Sequence, residues 1–192
     1  MAAEGGLVRR RLGWWLVVAV LAAGCTTSTA NEATPSDQTD VWFMQHMAGH
    51  LLQTTAILEL AGDRITHPEL AQLADTMNQQ RQAHLHQLQG WLDSRGLAPY
   101  DPQQDPNRRK ESDLTRLSEV RGAGFDLAFL EVMVARHRAG NRLAATEFRK
   151  GGIPEVRQLA AQLLAEYQAQ VNKMTAWRRA WAKGNAIHRV SR

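Results

Sequence analysis

The chain has 192 residues, 44% of them hydrophobic and 22% charged, with a single Cys. That composition excludes a purely disordered chain, and one Cys excludes an intrachain disulfide framework. The formal charge is +4; without the first 24 residues, which read as a removable leader, 20 basic and 18 acidic residues leave +2, a mixed surface and no nucleic-acid footprint.

Residues 1–24 carry Arg9-Arg10-Arg11 and then an apolar run from Leu12 to Ala23. The run is too short for a permanent span, and a basic start, a short apolar core and small residues describe an export signal. Its end, Leu21-Ala22-Ala23-Gly24-Cys25, resembles a bacterial lipoprotein signal. Cys25 is then the lipidation site, open to palmitate labelling, and the exported chain is anchored to the bacterial cell membrane without spanning it. Residues 25–39 are rich in Thr, Ser and Asn and read as a flexible tether.

The folded part is expected over 40–183, followed by a basic tail at 184–192. Shifted by 86 positions, it lies on itself without a gap. Asp40 falls on Asp126, Phe43 on Phe129, Met47 on Met133, Pro68-Glu69 on Pro154-Glu155, and Trp91 on Trp177. Gln72-Leu73-Ala74 and Gln82-Ala83 recur in the same register. This is an internal duplication, with repeat one at 40–96 and repeat two at 126–183.

Each repeat reads as two helices. Asp40 and Asp126 are placed to start the first of each pair, as N-caps. Phe43, Met47, His50, Thr54, Ile57 and Ala61 recur at steps of three and four. Gly62 stops that helix, and Pro68 suits the first turn of the next, whose stripe runs Leu70, Leu73, Met77, His84, Leu88, Trp91. In repeat two the stripes run from Phe129 through Met133 and His137, then from Val156 through Gln170, Met174 and Trp177, with Gly151-Gly152 between them. Nothing alternates as a strand. The fold class is all-α, a four-helix bundle of two hairpins.

The chemistry-bearing residues on these stripes are thioethers and imidazoles. Met47 and His50 share a helix face, as do Met133 and His137. His84 and Met174 lie on the inner stripes of the partner helices. One candidate metal set is Met47, His50 and His84; the other is Met133, His137 and Met174. Thioethers are soft ligands that favour Cu(I) or Ag(I), and imidazole accepts either copper state. The competing reading is plain packing, with Met as core filler and His hydrogen-bonded inside the bundle. Arg136 lies near the inner face, where a buried guanidinium calls for a carboxylate.

Asp-x-x-Phe, then Met-x-x-His at 47 and 50, then a helix ending near Trp91, all in duplicate, resembles the bacterial domain-of-unknown-function family 305. The resemblance spans Asp40 to Trp181 and implies an exported protein with a ferritin-like bundle, some members being associated with copper. The family's motif is Met-x-x-His-His, with Glu and Met on the partner helix. This chain departs from it in both halves. Repeat one has His50 but Leu51; repeat two has Arg136 but His137. The partner-helix Glu is His84 in one and Gln170 in the other, and the Met is Leu88 in one and Met174 in the other.

Inward paired carboxylates for a di-iron centre are missing, as are hydrolase and phosphate-binding motifs. The expectation is a binding protein, not an enzyme. Its partners are the membrane, through Cys25, and a soft metal ion, copper foremost, for buffering or tolerance. The alternative is a metal-free interaction module that binds another envelope protein.

Overall fold

The computed structural model describes residues 35–98 and 112–190. The leader, Cys25, most of the tether and most of the inter-repeat linker lie outside them. The described residues are all helix and short connections. Helix α1 spans Pro35–Ala61 and runs through a 3₁₀ turn, Gly62–Arg64, toward α2, Pro68–Asp93. A short α3, Ser112–Glu119, precedes α4, Ala123–Lys150, and α5, Pro154–Val190. Among the described residues no helix is long and apolar enough to cross a membrane.

The breaks fall where backbone chemistry demands them. After α2, Gly96 takes φ 63°. Its N–H reaches the Asp93 carbonyl and the Leu97 N–H reaches Leu92, a Schellman closure that favours glycine. Gly122, at φ 58°, turns the chain into α4. Pro68 and Pro154 open α2 and α5, where a missing N–H costs nothing.

Helix α1 packs on α2 and α4, and α4 on α5. The core divides into two clusters. One gathers Met77, Phe125, Phe129, Leu130, Met133 and Met174; the other gathers Phe43, Met47, Leu51, Leu88, Leu163 and Tyr167. The bundle extends past the sequence-based limits at both ends. Helix α1 begins five residues before Asp40, and α5 continues to Val190.

That extension corrects the reading of Asp40 and Asp126 as caps of their own helices. Each sits inside a helix and is fully buried. Asp40 Oδ2 and Oδ1 accept the N–H groups of Gly152 and Ile153, at 2.9 and 3.0 Å, just ahead of α5. Asp126 accepts the N–H groups of Thr66 and His67, both at 3.0 Å, just ahead of α2. Each repeat therefore caps the second helix of the other. The free N–H groups of a helix start need acceptors, and a buried carboxylate on a neighbouring helix serves as well as a local one.

Candidate functional site

Where α1, α2, α4 and α5 meet, a small cavity of about 20 Å³ opens. Its wall includes His84 and Arg81 from α2, His137 from α4, and Glu166, Tyr167 and Gln170 from α5, with Thr54, Met77 and Gln80. Several of these residues are repeat equivalents, 86 positions apart: Gln80 and Glu166, Arg81 and Tyr167, His84 and Gln170. The hydrogen bonds follow the same relation. His84 Nε2 donates to Glu166 Oε2 at 2.8 Å, and Gln170 Nε2 donates to Gln80 Oε1 at 2.8 Å. These two bonds tie α2 to α5 once in each direction.

His137 is 4% exposed, and its Nε2 meets Gln170 Oε1 at 2.5 Å. Burial pushes its pKa down to about 4, against the opposing pull of hydrogen bonds to Gln170 and the Met133 backbone. His50 falls further, to about 3, through burial first and then the charges of Arg136, His137 and Arg142. Both imidazoles are neutral at physiological pH, the state that binds metals.

The six metal candidates are distributed unevenly. Met133 and Met174 share one core cluster, with His137 one turn along α4 from Met133. Met77, which sequence reasoning treated only as stripe, joins them in that cluster and also lines the cavity beside His137. Its repeat equivalent is Leu163, and that of Met174 is Leu88, so the other half has leucine where this half has sulfur. Met47 lies in the second cluster with those two leucines. His50 is outside the cavity wall, with its ring 6.4 Å from Tyr167. His84 turns to Glu166. The structure thus places His84 and His137, from different repeats, on the wall of one cavity that Met47 does not line. Among the described residues no three His, Cys, Asp or Glu side chains converge as a metal cluster.

Arg136 departs from expectation as well. Among the described residues no carboxylate lies within ion-pair distance of it. Its guanidinium donates to Thr54 Oγ1 at 3.2 Å, Gln53 Oε1 at 3.0 Å and the His50 carbonyl at 3.4 Å. Neutral acceptors on α1 do the work assigned to an acid.

The sequence matches the family described as Domain of unknown function (DUF305) over residues 40–178. The chain belongs to the DUF305 family. A DUF305 protein of Streptomyces coelicolor, assigned as a candidate secreted protein, superposes with TM-score 0.69 at 19% identity, covering 75% of this chain and 94% of that one. A DUF305 fragment from Deinococcus radiodurans gives 0.68 at 21%, covering 77% and 98%. CopM in its Cu(I)-bound form gives 0.64 at 21%, covering 74% and 96%; CopM is also known in Cu(II)- and silver-bound forms. At these identities the likeness is one of fold. No curated protein matches the chain by sequence.

Proposed function

We propose that this DUF305 protein is an exported, lipid-anchored binder of a soft metal ion, copper(I) foremost, that serves buffering or tolerance and catalyses no reaction. The observation that carries the reading is that Met77, Met133 and Met174 share one core cluster and that Met77 lines the cavity with the neutral imidazole of His137. That donor set fits a soft monovalent ion: thioethers carry no charge to desolvate, and a neutral imidazole needs no deprotonation. An ion taking His137 Nε2 displaces the Gln170 amide. Met47, His50 and His84 form the weaker set, because Leu163 and Leu88 stand where the other half has Met77 and Met174, which leaves Met44 as the second thioether of that cluster. The copper- and silver-bound forms of CopM, on the same fold, support the reading. The leader and Cys25 support export and anchoring.

The test is an anaerobic Cu(I) competition titration of the purified protein against a chromophoric chelator, beside Met133→Leu/Met174→Leu and His50→Ala/His137→Ala. Stoichiometric binding that both variants weaken is expected. Binding no tighter than in the variants overturns the metal reading and leaves an envelope interaction module.

A further inference from the structure

The cavity has a feature that soft-metal binding does not use. Arg81 is 6% exposed. Its Nη2 donates to Asn78 Oδ1 at 2.8 Å, and its Nη1 to Thr55 Oγ1. Its Nε has no hydrogen-bond partner among the described residues, and no carboxylate lies within ion-pair distance of the guanidinium. Glu59 acts on the guanidinium only from beyond ion-pair distance, and an unsatisfied buried donor calls for an occupant nearby. Arg136, which among the described residues also has no carboxylate within ion-pair distance, adds a second positive charge at Thr54 on the wall. The Tyr167 hydroxyl lies in the field of Glu166 first, and after it of both guanidinium groups. The one carboxylate on the wall, Glu166, already accepts from His84 on one oxygen and Gln162 on the other. The cavity, at about 20 Å³, has room for a single water-sized or monatomic species.

We propose that this cavity is a binding site for a small monovalent anion of the halide class, held by Arg81 with Tyr167 beside it. The anion supplies the acceptor that Arg81 Nε lacks. Its size limit excludes oxyanions such as acetate or phosphate, and its ligands are distinct from the thioethers of the metal reading.

Bromide is the probe. Crystals of the purified protein soaked in sodium bromide, measured at the bromine absorption edge, should show an anomalous peak beside Arg81. In solution, Tm should rise with sodium bromide above its value in sodium acetate of equal ionic strength. Arg81→Gln should remove the peak and weaken the apparent bromide affinity roughly tenfold or more. Met133→Leu/Met174→Leu should leave both intact, which separates this site from copper binding. An empty anomalous map at an ordered cavity overturns the proposal and leaves a water molecule there. A peak of equal height in Arg81→Gln also overturns it.

Discussion

Asp40 and Asp126 stand 86 positions apart in sequence, and each holds the helix start that the other's repeat contributes. Thr66 and His67 are to Asp126 what Gly152 and Ile153 are to Asp40. The duplication is therefore an interlock, in which neither hairpin caps its own second helix. Asp40→Ala should cost about 1 to 2 kcal/mol, the range for losing an N-cap acceptor. Hydrogen exchange should show lost protection at Gly152 and Ile153, across the bundle. Lost protection confined to residues next to position 40 contradicts the interlock.

The pH dependence follows from three groups whose titration burial shifts. His50 and His137 drop from the ordinary 6.5 to about 3 and about 4 in the folded chain. The unfolded chain then binds more protons below pH 6.5, so stability falls as pH drops through that window. Glu147, fully buried, is pushed up from 4.5 to about 8 by burial first and then by the neighbouring Asp40 carboxylate, with Arg157 opposing. Its contribution runs the other way and weakens as pH rises from 4.5 to 8. Below 6.5 two histidines outweigh one glutamate; above it Glu147 acts alone. Tm should peak near pH 6.5 and fall on both sides, by a few degrees at each limb. Glu147→Gln should flatten the alkaline fall and leave the acid limb. A scanning fluorimetry series from pH 4 to 9 that rises steadily to pH 8 contradicts this account.

Gly140 keeps the centre of the bundle open. A Cβ there would stand 2.4 Å from Tyr167 Cε2 and 3.0 Å from His50 Nε2. The Tyr167 ring is buried and cannot yield as a flexible chain end does. Gly140→Ala, although it favours helix, should destabilise the protein by about 1 to 3 kcal/mol through overpacking. Urea denaturation measures this; an unchanged or raised midpoint means that the ring moves freely.

Gln170 meets His137 where the family pattern has a glutamate. Gln170→Glu replaces a neutral acceptor by a carboxylate within hydrogen-bond reach of a buried imidazole. The pKa of His137 should then climb from about 4 toward or above its ordinary value. NMR titration of the His137 ring protons reads the shift, and an unmoved titration means that the two groups separate in the variant.

Much of this architecture was legible in the one-dimensional pattern. The 86-residue shift, the apolar steps from Phe43 to Ala61, the prolines at 68 and 154 and the breaks at Gly62 and Gly151-Gly152 all report local backbone chemistry and a single buried face. Those signals depend on neighbours three or four residues away. The paired apolar stripes and the shared Met and His positions were equally visible, because repeat equivalence is a property of the string. The targets of Asp40 and Arg136 were not. A carboxylate in a first turn looks like a local cap, and a guanidinium near a core looks like half of an ion pair. Which acceptor or donor is met depends on the helix packed opposite.

The sequence by itself determined the duplicated all-α hairpins, their limits to within a few residues, the DUF305 membership and the set of side chains available for soft-metal chemistry. Only the tertiary structure decided how those side chains group. It placed His84 and His137 on one cavity wall, put Met77, Met133 and Met174 in one cluster, and left Arg81 Nε without a hydrogen-bond partner among the described residues. The physical reason is that periodicity assigns each residue to a face, whereas the partner of that face, and the charge or sulfur it presents, comes from a helix 80 to 90 positions away.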